Sequence, residues 1–164
     1  MLVRPATAGD AAAIAAIYNE GIEDRVATFE TSPRSVPEVA GWLDAGLPLL
    51  VAEHEGAVAG FARVSPYSDR CVYGGVGEQG VYVARSARGG GIGRALLREL
   101  CSAAEEAGLY KLTARILAEN AASLALHRAC GFREVGVQRR HGRLDGAWRD
   151  VVLVERLLGE AAAV

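Results

Sequence analysis

Val81-Tyr82-Val83-Ala84-Arg85-Ser86-Ala87-Arg88-Gly89-Gly90-Gly91-Ile92-Gly93-Arg94 decides the reading of this chain. A β-branched run leads through a basic, glycine-rich loop into a segment with helical apolar spacing. Ile92, Leu96, Leu97, Leu100 and Ala104 share one face, and Gly108 ends the segment. Without Cβ atoms at Gly89, Gly90, Gly91 and Gly93, the backbone can come close to a ligand. The unpaired N–H groups of the first helical turn then point at any anion held there. Arg88 and Arg94 add positive charge beside those donors. The pattern predicts a phosphate cradle, against the plainer alternative of a flexible surface turn. Two familiar phosphate loops do not fit. Gly93 is followed by Arg94 and Ala95, which leaves no hydroxyl for magnesium, and a dinucleotide fingerprint begun at Gly89 meets Arg94 where its third glycine belongs.

Working outward, 164 residues with 51% hydrophobic and 23% charged content predict a folded chain rather than a disordered one. One domain is expected over 1–158, with 159–164 as a frayed tail. A formal net charge of −2 gives no general attraction to nucleic acid or anionic lipid, so the local arginines need a local explanation. Cys71, Cys101 and Cys130 are odd in number and widely spaced, which argues against a disulfide framework or structural zinc and fits a reducing cytoplasm. His54, His127 and His141 lack ligand spacing, so no metal site is expected. No apolar run reaches the roughly 18 residues of a membrane span.

Strand-like and helix-like segments alternate with short connections, which predicts an α/β (α+β) sheet domain. Strands are expected at 2–4, 49–53, 57–64, 78–84, 109–117, from Phe132 to near Arg139, and at 147–157. Thr7 with Asp10, Ser35 with Glu38, and Asn120 read as helix starts. His54-Glu55-Gly56 reads as a hairpin turn, and residues 66–77 as an irregular loop.

The motif Arg88-x-x-Gly91-x-Gly93, between a strand and an amphipathic helix, resembles the coenzyme A pyrophosphate loop of the GCN5-related N-acetyltransferases. The segment Asn120-Ala121-Ala122-Ser123-Leu124-Ala125-Leu126-His127-Arg128-Ala129-Cys130-Gly131-Phe132 resembles the same superfamily, in which an Asn opens the helix beside the pantetheine arm and a Gly-Phe turn closes it. Within it, the chain resembles the phosphinothricin and methionine sulfoximine N-acetyltransferase group over almost its whole length. Ile17-Tyr18-Asn19, Ala27-Thr28-Phe29-Glu30, Trp42, Glu78 with Val81-Tyr82-Val83, His127, and Gly142 through Asp150 carry that likeness.

The resemblance implies a mixed, mostly antiparallel twisted sheet flanked by about four helices. It implies acetyl-CoA as co-substrate, held by Val81, Tyr82, Val83, Arg88, Gly89, Gly90, Gly91, Ile92, Gly93, Arg94, Asn120 and Ser123. The acceptor would be a small amino-acid analogue, and the enzyme a cytoplasmic homodimer. Arg70-x-x-Tyr73 resembles the group's substrate-side loop, but Val72 to Gly77 is richer in glycine than the group. Phe29, Arg70 and Tyr73 are the expected apolar wall, carboxylate clamp and hydrogen-bonding tip.

Acetyl transfer to an amine sets its own demands. The amine must lose its proton, and Glu78, just before the strand that would line the thioester, is the candidate base. His127 is a candidate acid toward the coenzyme thiolate or a relay member, weighed against an ordinary buried histidine. A backbone N–H near Tyr82 or Val83 is expected to hold the developing oxyanion. The competing readings are a different acceptor, either a polyamine or a protein amino terminus, and a coenzyme A-binding module without turnover.

Overall fold

Two tight turns with left-handed backbone at both central positions fix the hairpins of the sheet: Glu55 (φ 53°) with Gly56 (φ 80°), and Asp145 (φ 51°) with Gly146 (φ 78°). In the computed structural model, which describes residues 1–164, seven strands form one sheet in the order β1-β2-β3-β4-β5-β7-β6. They are β1 (Leu2–Pro5), β2 (Leu49–His54), β3 (Ala57–Pro66), β4 (Val76–Val83), β5 (Lys111–Leu117), β6 (Arg133–Leu144) and β7 (Ala147–Leu157). All neighbours are antiparallel except β4 and β5. The helices are α1 (Ala11–Asp24), α2 (Val36–Trp42), α3 (Ile92–Glu106), α4 (Ala121–Ala129) and α5 (Gly159–Ala163). None is long and apolar enough to cross a membrane.

Each face of the sheet has its own core. On one, α1 and α2 bury Ile14, Ile17 and Val39 against Val51 and Phe61. On the other, Leu96, Leu97 and Leu100 of α3 pack on Ala62, Val64 and Leu112, continuous with Phe132, Val152 and Val154. The apolar stripe read from the sequence of α3 is thus the stripe that is buried.

Beyond shifts of one or two residues at the ends of β1, β2, β3 and β5, three departures bear on the architecture. β4 begins at Val76 rather than residue 78. β6 continues to Leu144, because bulges at Glu134/Gly136 and Gln138/Gly142 let it follow β7 past the basic run 139–143. Residues 159–163 form the short helix α5 where an irregular tail was expected, with Leu158 only 2% exposed before it.

The feature that positions the site is a splay. The parallel strands β4 and β5 pair only at Val76/Lys111, Gly77/Leu112 and Glu78/Thr113. Beyond Glu78 they separate, β4 continuing to Val83 and β5 to Leu117.

Candidate active site

A cleft of about 1150 Å3 fills the splay. It runs from the glycine loop at one end, past Val81, Val83, Ala114 and Ile116, to Glu78, Ser65 and the aromatic residues under α1 and α2. Strand alternation decides what each β4 residue offers it. Ala84 donates its N–H to the Ala59 carbonyl (2.8 Å), so even-numbered β4 residues turn both backbone groups toward β3. Odd-numbered ones turn theirs toward the splay, where the Val83 carbonyl accepts from Arg88 Nε (3.3 Å) and Val81 and the Val83 N–H face the cleft. The oxyanion donor expected near Tyr82 or Val83 is therefore not the Tyr82 amide, which faces β3; Val83 and Val81 have the right parity. Tyr82 sends its ring to the other face, stacked on Phe61 at 5.3 Å, and burial pushes its phenol well above the usual range.

The cradle takes the expected form at two of its four glycines. Gly89 (φ 85°) and Gly91 (φ 82°) adopt left-handed backbone, and Gly91 is the N-cap of α3. Gly93 lies inside α3, where a Cβ would come 3.3 Å from Leu126 of α4. The arginines are less free than the sequence suggests. Arg88 Nη2 lies 2.7 Å from Asp24 Oδ2, and Arg85 Nη2 is 2.9 Å from Asp24 Oδ1. Burial works against ionising Asp24, but the two guanidinium groups outweigh it and hold its pKa below the ordinary value. Arg94, in the first turn of α3, has no such partner and lines the cleft beside Ile92.

Glu78 extends from the face opposite α3. Arg115, two residues past its strand partner Thr113, donates to Oε1 through Nη2 (2.8 Å) and Nε (3.3 Å). Both contacts fall on one oxygen, and Oε2 accepts no hydrogen bond from the protein. Arg115 was not legible beforehand, because its role depends on the β4/β5 register.

His127 is 4% exposed on α4. Its Nδ1 is 2.7 Å from the Ser123 carbonyl oxygen, a contact that requires the proton on Nδ1. Gln79 Nε2, 2.7 Å from His127 Nε2, then donates to the ring's lone pair, and Gln79 Oε1 is left buried without a partner. Desolvation lowers the His127 pKa, the Ser123 contact only partly opposing it, and the ring is neutral at pH 7. The acid expected of His127 thus meets a buried ring whose one proton is committed to the Ser123 carbonyl and whose Nε2 accepts from Gln79. Asn120 caps α4 by accepting the Ser123 N–H (3.1 Å), and both residues line the cleft.

The expected acceptor residues divide. Phe29 lines the main cleft while packing on Leu117, Leu144 and Val151. Tyr73 lines a second hollow of about 420 Å3 that shares Glu78, Arg115 and His141 with the cleft. Arg70 is exposed outside both, its guanidinium carbon 5.8 Å from the Tyr73 ring centroid. Sequence reading passed over Arg63, which lies in the main cleft with its guanidinium carbon 4.0 Å from the Trp42 ring centroid.

The sequence pattern of the acetyltransferase (GNAT) family matches residues 14–132. The phosphinothricin N-acetyltransferase of Alcaligenes faecalis is 40% identical over 161 residues, spanning 95% of this chain and 82% of that one. The crystal structure of a GNAT superfamily phosphinothricin acetyltransferase from Sinorhizobium meliloti, in complex with acetyl-CoA, superposes with a TM-score of 0.93. It is 38% identical, over 99% of this chain and 91% of that one. The ribosomal-protein-alanine N-acetyltransferase of Brucella melitensis superposes with a TM-score of 0.92 at 41% identity, over 96% of this chain and 100% of that one. With the splayed sheet, the glycine cradle and these likenesses together, the chain belongs to the GNAT family and is an acetyl-CoA-using N-acetyltransferase.

Proposed function

We propose that this enzyme acetylates the amino group of a small amino acid or amino-acid analogue by direct transfer from acetyl-CoA. The observation that carries the reading is the edge of β4 that β5 leaves unpaired, Val81 and Val83, running from the α3 cradle to Glu78. A donor whose diphosphate sits on the amides of residues 89–94, with its arm along that edge, delivers its thioester beside the Glu78 carboxylate. There the amine nitrogen attacks the thioester carbon, Glu78 Oε2 takes the amine proton, and the carbon–sulfur bond breaks to release the coenzyme thiolate. Arg115, on Oε1, fixes the direction in which Oε2 points. Phe29 and Tyr73 flank the acceptor, Arg70 stands at the rim beside Tyr73, and His127 orders the α4 wall through Gln79.

The test is release of free thiol from acetyl-CoA over a panel of amino acids, simple amines and peptides. Turnover with phosphinothricin or methionine sulfone supports the reading, and binding of acetyl-CoA without thiol release on any acceptor refutes it. Glu78→Gln is expected to slow turnover about 10²- to 10⁴-fold while leaving acetyl-CoA affinity unchanged. A protein amino terminus is the second reading, favoured by the likeness to the Brucella enzyme, and the peptide arm of the panel decides it.

A cytoplasmic homodimer belongs to the same proposal. Edge strand β6 exposes Val135 (42%) and Val137 (56%), apolar surface that a second subunit would cover. Light scattering after size exclusion reads the subunit number.

A further inference from the structure

Arg63 stands out among the cationic side chains of the cleft because nothing in the protein neutralises it. Arg88 is held by Asp24, Arg115 by Glu78, and Arg34 by Glu30 (3.2 Å) and Glu38 (3.9 Å). Arg94 lies at the far, cradle end. Arg63 has no ion pair and no side-chain hydrogen bond; it rests only on the face of Trp42. A half-buried cation without a counter-charge is costly, and the cost shows as a pKa that burial drives down, with Tyr18 and Tyr82 only partly opposing it and Arg34 adding to it. Stacking on the indole face shields one side of the guanidinium and leaves the edge of its fork open to a planar anion.

Its position fits one ligand. Arg63 pairs with Gly80 and Ser65 with Glu78, so Arg63 and Glu78 share a sheet face as diagonal neighbours, roughly 7–8 Å apart at the backbone. Gly80 places no side chain between them. The stacking of Phe61 on its partner Tyr82 confirms that this face is the one under α1 and α2.

We propose that Arg63 is the specificity-determining residue that receives the carboxylate of the acceptor whose amine lies at Glu78. This rests on the acetyltransferase reading and deepens it: among the amino-acid acceptors of that reading, it is Arg63 that recognises the carboxylate and discriminates against a simple amine. An amino acid carries its amino group and carboxylate on one carbon, so it presents both partners to two neighbouring charged side chains at once, each through a charge-assisted hydrogen bond.

The test uses a matched pair of acceptors, L-methionine sulfone and 3-(methylsulfonyl)propylamine, which is the same molecule without its carboxylate. Wild type is expected to prefer methionine sulfone in kcat/KM. Arg63→Met keeps an unbranched stem on Trp42 but loses the fork. It is expected to lower kcat/KM for methionine sulfone about 10- to 100-fold, with a change of less than about threefold for the amine and for acetyl-CoA affinity. Arg63→Lys, which keeps the charge, falls between the two and serves if the Met variant does not fold. Equal losses on both acceptors assign Arg63 to packing and overturn the proposal. So does an unchanged ratio, or a wild type that prefers the amine. A wild type that releases thiol with neither of these nor any acceptor of the wider panel refutes the acetyltransferase reading itself, and Arg63's role falls with it.

Discussion

The buried chain Ser123–His127–Gln79 makes a prediction that separates packing from catalysis. Replacing His127 with Phe removes the acceptor for the Gln79 N–H and the donor for the Ser123 carbonyl, in a place that is 4% exposed at His127 and 6% at Gln79. An unpaired buried polar group costs about 1–3 kcal/mol. For a chain of 164 residues that is a fall of roughly 2–12 °C in Tm. Gln79→Leu is milder, because it strands only the ring's Nε2 while removing an oxygen, Oε1, that is already without a partner. In the double variant both polar ends vanish together, and the loss should be smaller than the sum of the singles by about 1 kcal/mol.

Denaturant unfolding of the four proteins measures the cycle, and thiol release on the same samples measures the chemistry. His127→Phe is expected to slow turnover less than about tenfold, whereas loss of a true proton donor costs about 10²- to 10⁴-fold. Additive singles, or a Gln79→Leu variant less stable than His127→Phe, would refute the hydrogen-bond assignment. A slowdown of a hundredfold or more with intact stability would restore His127 as an acid.

Because burial lowers the His127 pKa, the native ring resists a proton that the unfolded chain accepts near its ordinary value of 6.5. Above that pH the group contributes nothing to the pH dependence. As pH falls through 6.5, stability should decline by up to about 1.4 kcal/mol per unit until the native pKa is reached. Melting curves between pH 7.5 and 5.5 should show a slope that His127→Phe flattens. Asp10 acts in a separate window: its hydrogen bonds from Arg4, against some burial, bring its pKa down to about 2. Its contribution is thus lost only below about pH 4, which Asp10→Asn should reveal by removing that acid step. Gly91→Glu places a charged side chain on left-handed backbone at the mouth of the cradle and should abolish detectable acetyl-CoA binding in calorimetry, while the backbone strain of about 1–2 kcal/mol lowers Tm by only about 2–8 °C. Undiminished affinity there would remove the cradle.

What could be read from the sequence was what is local. Gly89, Gly91 and the stripe of α3 carry their meaning within a dozen residues, and Ser35 does bind the Glu38 N–H as its spacing predicted (3.3 Å). Glu55-Gly56 likewise announces its turn. The residues missed all owe their roles to register between distant strands. Arg115 reaches Glu78 only because Thr113 is paired beside it, and Gln79 meets His127 because β4 turns odd side chains toward α4. The choice between the Tyr82 and Val83 amides depends on register in the same way, since the parity of β4 is set by Ala84 bonding to Ala59. Arg63 did leave a trace. Strand alternation puts it on the same face as Phe61, two residues earlier, whose aromatic ring predicts a buried rather than solvated face there, and Phe61 is fully buried.

The register that does so much is held at one narrow point, and Gly77 is the place to test it. β4 and β5 share three pairs, and Gly77 is the middle one, opposite Leu112. A Cβ there would come 2.5 Å from Val64 Cγ1, 3.1 Å from Leu112 Cδ2 and 3.2 Å from Leu109 Cδ1. Val64 is β-branched and stiff, so it cannot swing aside, and strands β3 to β5 must separate or shift. Overpacking of this kind costs about 1–3 kcal/mol. Because the splay opens one residue later, the same shift should misplace Glu78 and the Val81 edge, weakening acetyl-CoA binding as well as lowering Tm. Val64→Ala removes the nearest methyl, so the double variant Gly77→Ala/Val64→Ala should recover part of both losses despite carrying two core changes. If Gly77→Ala melts like wild type, or the second substitution only adds damage, the contact between these strands does not set the splay.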